Sequence, residues 1–258
     1  MQTLKIFKIG GNVVDNPVLL QKFLSDFSKV SGQKIIVHGG GKEATRLSAA
    51  LGVETRMIEG RRVTDKQTLD IVTMVYAGLV NKRVVASLQA LGCNAIGLSG
   101  ADGDAVRAVM RSPEPIDYGY VGDINPSSIN ARLILDMLGN GLIPVFCAIT
   151  HDGEGQLLNC NADTIASSIA VALSQSRETD LVYCFEHPGV LADINDPDSV
   201  IPLITPEDFP ALKEKGTISA GMIPKVSNAL DAVRKGVKNV LIKSSSDILG
   251  CTATTVRL

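Results

Sequence analysis

Neither sign of charge dominates this 258-residue chain, in which 25 lysines and arginines face 27 aspartates and glutamates. So even a balance gives no overall field for nucleic acid or an anionic membrane, and any anion must be held locally. Cysteine is scarce and odd in number. Cys93, Cys147, Cys160, Cys184 and Cys251 include no C-x-x-C pair, which suggests neither a disulfide framework nor a zinc knuckle and points to a reducing compartment. His38, His151 and His187 are scattered, without H-x-H or H-x-x-x-H spacing, so no protein metal cluster is expected and a metal should arrive with its ligand. Uninterrupted apolar runs never approach the roughly 18 residues of a membrane span, and the opening MQTLKIFKIGG has no apolar stretch of signal-peptide type. From these absences a cytoplasmic protein is expected, with neither nucleic acid nor membrane as a partner.

What is present is an alternation of short β-rich runs with helix-length amphipathic ones. Strands are expected over 3–9, 34–37, 95–98, 142–148, 180–185, 239–242 and 253–258, and helices over 17–30, 43–51, 127–138, 162–173, 206–215 and 224–235. Residues 66–91 keep apolar side chains at helical spacing and form one long helix or two joined at Gly78. The stretch from Val106 to Asp123 suits an inserted hairpin. Such alternation predicts an α/β fold, a mainly parallel sheet with helices on both faces, with ligands at the carboxyl ends of the strands. The length allows two lobes, and the polar connector SQSRET at 174–179 divides the chain into lobes of 1–176 and 177–258.

Two strand-to-turn junctions resemble each other: FKIGGN, with Lys8, Gly10 and Gly11, and IIVHGGGK, with Gly39, Gly40 and Gly41. Glycine at a strand end lets backbone N–H groups approach a phosphate or carboxylate closely, although each turn alone is also an ordinary tight connection. Three motif readings compete for HGGGK. A Walker A loop fails at Ile36 and at Glu43. A dinucleotide fingerprint fits Gly39 to Ala44 but should lead to a second buried strand, where VETRMIEGRRVTD is charged throughout. An esterase reading would pair HGGG with Ser99 in GLSGA, yet Ala101 replaces the final glycine and no acid and histidine follow suitably.

Later segments supply further polar groups. In LLNCNAD, Asn161 is a good N-cap and Asp163 favours a helix N-terminus, which leaves the amide of Asn159 free to bind a ligand. Lys225 falls in the first turn of the next helix, where a cation opposes the dipole unless an anion sits there. Arg61 and Arg62 precede a helix start at Thr64-Asp65, and arginine suits a bidentate carboxylate clamp as well as a solvated loop.

Taken in order, FKIGGN, VHGGGKE, GRRVTD, GLSGADGD, LLNCNAD and AGMIPKVSNALDA resemble the amino acid kinase family, most closely its acyl-glutamate branch. The resemblance covers nearly the whole chain and implies an open three-layer αβα sandwich around the mainly parallel sheet. It implies transfer of the ATP γ-phosphoryl group to the γ-carboxylate of N-acetyl-L-glutamate, the second step of arginine biosynthesis, with Mg²⁺ held mainly by the nucleotide phosphates. In that scheme Lys8 and Lys225 stabilise the phosphoryl group and Asp163 holds the two lysines. Gly11, Gly40 and Gly41 contact phosphoryl or substrate, while Arg62 and Asn159 grip the substrate carboxylate. Gly189, Val190, Leu191, Thr217, Ile218 and Ser219 fall to the nucleotide. The N-terminal lobe takes the acyl-glutamate and the dimer contact, the C-terminal lobe ATP. No helical extension of the kind found in arginine-inhibited relatives precedes the first strand, so a homodimer without arginine feedback is expected. Two departures stand out: VYCFEHPGVLADINDP replaces an Asp-containing strand end, and GCTATTV replaces a late Gly-x-Gly-Thr. Lys42 and Arg61 add unusual positive charge, which raises N-succinyl-L-glutamate as an alternative substrate. A non-catalytic amino acid sensor on the same fold is the second alternative.

Overall fold

The computed structural model describes residues 2–214, 216–218 and 222–258. Among them one eight-stranded sheet forms the middle layer. In chain order its strands are β1 (Leu4–Ile9), β2 (Lys34–His38), β3 (Ala95–Leu98), β4 (Ile143–Phe146), β5 (Thr179–Phe185), β6 (Leu203–Ile204), β7 (Asn239–Ser244) and β8 (Thr254–Val256). Across the sheet they run β6-β8-β7-β5-β1-β2-β4-β3. The six strands from β7 to β3 are parallel, whereas β8 is antiparallel to β7 and parallel to β6. The four strands before residue 176 thus form one half of the sheet and the four after it the other. After β1 the chain builds outward on one side, then returns to lay β5 on the opposite side, so strand order reverses between β1 and β5. Ligand crevices of open parallel sheets form at such a reversal.

Alternation along the central strands makes the two apolar layers. Ile6 and Ile35 face one layer, which includes Ile165, Ile169, Val226 and Leu230. Phe7, Ile9 and Ile36 face the other, packed on Phe23 and Phe27. Those two phenylalanines are fully buried, and each contributes about 1.5–3 kcal/mol of transfer free energy. They belong to α1 (Pro17–Lys29), which starts where the Asn16 side chain accepts the N–H groups of Val18 and Leu19. The other main helices are α2 (Gly41–Ala50), α3 (Lys66–Ala90), α4 (Ala131–Gly139), α5 (Ala162–Ser174), α6 (Asp208–Glu214) and α7 (Ile223–Arg234).

Helix α3 is one continuous run, with a π-helical segment over Met74–Val80 that includes Gly78. Before that segment its buried side chains join the first apolar layer; after it, Val84 and Leu88 join the second. By length and composition α3 could cross a membrane, but its apolar stripe is committed to these two layers. Helix α4 begins later than the expected residue 127. Asn125 caps a separate 3₁₀ turn over Pro126–Ser128, and Asn130 then caps α4 by accepting the Leu133 N–H. The expected hairpin pairs Val109–Met110 with Gly122–Asp123. Two further hairpins went unanticipated: Met57–Ile58 with Arg61–Arg62, and Ile149–His151 with Leu157–Asn159.

Candidate active site

At the reversal between β1 and β5 opens a cleft of about 920 Å³, joined on one flank by a smaller cavity of about 330 Å³. Lys8, Gly10, Gly11, Gly41, Arg62 and Asp163 line both. Lys8 is the next-to-last residue of β1 and lies opposite Tyr183 of β5 in the parallel register. Strand alternation turns its side chain to the face covered by α5. There its Nζ lies 2.7 Å from Asp163 Oδ1. The approach is off the line a hydrogen bond prefers, so the contact is an ion pair. Asp163 holds its place because α5 starts there: the Asn161 side chain accepts the N–H groups of Asp163 and Thr164.

Both glycine turns open helices. Gly10 precedes the short helix Gly11–Val14, and Gly40 precedes α2, whose first-turn N–H groups carry the partial positive charge of a helix start. They end adjacent strands, β1 and β2. The second turn is held by several partners. Arg62 is buried and donates through Nη2 to Gly41 O (2.9 Å) and Thr45 Oγ1 (2.8 Å), and through Nη1 to Thr55 Oγ1 (3.2 Å). Much of its fork therefore secures the glycine turn. Tyr76, in the π-helical segment, closes the turn from behind: a Cβ at Gly40 would stand 2.8 Å from its Cδ1.

His38 is fully buried just before the turn, and burial pushes its pKa down to about 4. Its tautomer follows from its partners. Asn81 Nδ2, which also donates to Val145 O, lies 3.1 Å from His38 Nε2, so Nε2 accepts. The Nδ1–H then donates to Gly39 O at 2.7 Å. Asp15 flanks the first turn with both carboxylate oxygens buried and, among the described residues, without a hydrogen-bond partner; burial raises its pKa, with the nearby Glu43 charge adding to the effect.

From the C-terminal half, α7 brings Lys225 into the cleft at its third residue. Burial lowers the Lys225 pKa, while the Asp163 charge opposes that shift and Lys8 adds to it. Its Nζ sits 3.9 Å from the centre of the Phe185 ring, and Lys8 Nζ lies 5.8 Å from the same ring. Gly189, Leu191 and Thr217 line the cleft. Val190 and Ile218 are buried behind the wall; the Val190 N–H donates to Thr254 Oγ1 at 2.8 Å. Ser219 lies outside the described residues.

The smaller cavity takes Gly40, Arg61, Tyr76 and Asn159, whose Nδ2 donates to Thr64 Oγ1 at 3.0 Å. Lys42 instead lines the main cleft, so the two unusual cations, Lys42 and Arg61, occupy different walls. Asn12, Tyr76, Phe185 and Glu186 also line these cavities, although the sequence did not assign them to a site. Asn12 directly follows KIGG and donates from Nδ2 to Glu186 Oε1, tying the first glycine turn to the end of β5. Position after a glycine turn was the available signal for Asn12; Tyr76 lay hidden in an amphipathic pattern.

Residues 3–244 match the amino acid kinase family. A Phocaeicola vulgatus protein named acetylglutamate kinase is 49% identical over 256 residues, 99% of each chain. A protein of that name from Methanopyrus kandleri is 40% identical over 258 residues, 98% of this chain and 100% of its own. Among solved structures, smu.665 from Streptococcus mutans shares the fold with a TM-score of 0.78 and 32% identity, covering 100% of this chain and 99% of its own. The family match spans every strand end and helix start that builds the cleft, from Lys8 to Lys225, and this chain accordingly belongs to the amino acid kinase family.

Proposed function

We propose that this chain is an acetylglutamate kinase: it transfers the γ-phosphoryl group of ATP to the γ-carboxylate of N-acetyl-L-glutamate, releasing ADP and the acyl phosphate, as the second step of arginine biosynthesis. One observation carries the reading. Two lysines, one from strand β1 and one from helix α7, with Asp163 paired to the first, stand at the strand reversal beside two glycine turns.

The chemistry asks for little more. A γ-carboxylate with an ordinary pKa near ~4.3 is already anionic at neutral pH and needs no general base. The obstacle is repulsion between that anion and the phosphoryl oxygens, together with the requirement for in-line approach. Lys8 and Lys225 supply positive charge where the equatorial oxygens gather charge, and fixed N–H groups at Gly11, Gly40 and Gly41 add dipoles that need no reorganisation. Asp163 anchors the Lys8 ammonium group in the cleft through their ion pair. Arg62 and Asn159, on the smaller cavity, receive the amino-acid end. Gly189, Leu191 and Thr217 form the nucleotide wall, backed by Val190 and Ile218, and residues 177–258 act as the ATP lobe against an acyl-glutamate lobe of 1–176.

Mg²⁺ fits as a cation carried by the nucleotide: Asp163, Glu186 and Asp193 line the cleft among its lysines, and they are the carboxylates able to receive the metal's waters. Bound there, the ion neutralises phosphate charge. We place the enzyme in the cytoplasm, in keeping with five free cysteines, four of them buried. We also assign a homodimer to the outer face of α3, where Met74 and Leu79 are exposed.

A coupled ADP-release assay with N-acetyl-L-glutamate, N-succinyl-L-glutamate and free glutamate tests the proposal, with Lys8→Ala and Lys225→Ala as controls. Turnover preferring the acetyl substrate and lost in both variants is expected. Binding of the amino acid without ADP release would overturn it in favour of a sensor, and a preference for the succinyl compound would reassign the acyl group.

A further inference from the structure

Lys225 stands where a cation is hard to keep. It is part-buried, beside the like charge of Lys8, and in the first turn of α7, whose start carries positive partial charge. Among the described residues it makes no ion pair within 4 Å. What it does have is the face of Phe185, with the ammonium nitrogen 3.9 Å from the ring centre. An aromatic face carries the negative end of the ring quadrupole and attracts an ammonium group, most strongly away from water. The ring is fixed from behind: Tyr183, two residues earlier on the same face of β5 and buried, stacks on it at 6.0 Å with an interplanar angle of 21°. Phe185 lies within the strand end where this chain departs from the Asp-containing pattern.

We propose that Phe185 is a positioning residue for phosphoryl transfer, its ring face holding the Lys225 ammonium group charged and aimed into the cleft beside Lys8. The inference rests on the kinase reading above and assigns to this strand end an aromatic support that touches Lys225 directly, with the Asp163 and Glu186 charges favouring the cation from farther off. Because a ring face attracts the ammonium without neutralising it, Lys225 keeps its full charge for the incoming phosphoryl oxygens. A carboxylate in the same position would share that charge.

Two measurements test it on the intact enzyme. In the first, lysine ε-methylene signals are recorded on protein with isotopically labelled lysine, and the signal lost in Lys225→Arg is assigned to Lys225. It should lie upfield through the ring current and return to the bulk lysine position in Phe185→Leu; a native signal at the bulk position overturns the inference whatever the enzyme's activity. In the second, Phe185 is replaced by phenylalanines bearing one, two and three ring fluorines, which weaken the quadrupole at nearly constant shape. The kcat should fall stepwise, by about three- to tenfold at the trifluoro ring, with the KM for acyl-glutamate held. A flat series in an enzyme that turns over overturns the inference and leaves the kinase reading intact. Absence of turnover in the native enzyme refutes the kinase reading, and with it the role in transfer.

Discussion

Lowering the pH from 7.5 to 5.5 should cost this protein stability through one residue, His38. The folded protein holds His38 neutral, with a pKa of about 4, because the ring is sealed from water and Nε2 is already taken by Asn81. In the unfolded chain the ring titrates near ~6.5. A base whose pKa is depressed by folding stabilises the fold above its unfolded pKa, and that stability drains away as the pH falls toward the folded one. Linkage between the two values gives a loss of about 1.4 kcal/mol by pH 5.5 and about 3 kcal/mol by pH 4, beyond which the loss levels off. Urea unfolding of the ligand-free protein and of His38→Gln at several pH values isolates the residue, since every other titrating group is common to both. The native protein's advantage over the variant should shrink by about 1.4 kcal/mol between pH 7.5 and 5.5. Parallel curves would refute the sealed, neutral imidazole. The same experiment bears on the site, because protonation would place a second donor against Asn81 and strain the hydrogen bond that sets Gly39.

Gly40→Ala forces a methyl group to within 2.8 Å of the Tyr76 ring, so it should destabilise the fold by about 1–3 kcal/mol and displace the second glycine turn. Calorimetry with the double variant Gly40→Ala/Tyr76→Leu should recover part of the lost Tm; no recovery would locate the strain elsewhere. Asp15→Asn should raise Tm at pH 8, because burial disfavours the native carboxylate. An acid whose pKa is raised by folding is least costly once protonated, so the gain should fade as the pH drops toward 4. A gain of equal size at pH 8 and pH 4.5 would count against that cause.

Most of the architecture could be read from residue order because the central strands are short, β-branched and bounded by glycine or polar turns, while the helices carry clean caps at Asn16, Asp65 and Asn161. The meeting of Lys8 with Asp163 could be anticipated only through the ordered motifs; no local pattern links residues 155 positions apart. What escaped the reading depends on tertiary contact. The hairpin at 57–62 has two-residue strands and charged side chains, too little for a periodicity signal. Tyr76 looked like any apolar position of α3 until the π-helical segment turned it onto Gly40. Arg62 read as a substrate clamp, but its partners Gly41 O and Thr45 Oγ1 are brought to it by the fold. Phe185 was legible only as a departure from a pattern, since its role depends on a helix that begins almost forty residues later.

The central position of β1 also bears on how the protein is made. β1 is buried on both faces and must be hydrogen-bonded along both edges, yet its partner β5 is synthesised more than 170 residues later. Until then the edge of Leu4–Ile9 is an apolar strand with unpaired N–H and C=O groups, a template for another chain. The nascent N-terminal half is therefore the aggregation-prone species, and the reach of that pairing sets a slow, non-local step in folding. The lysine pair needs α7 as well as the closed sheet, so a chain truncated before β5 carries neither.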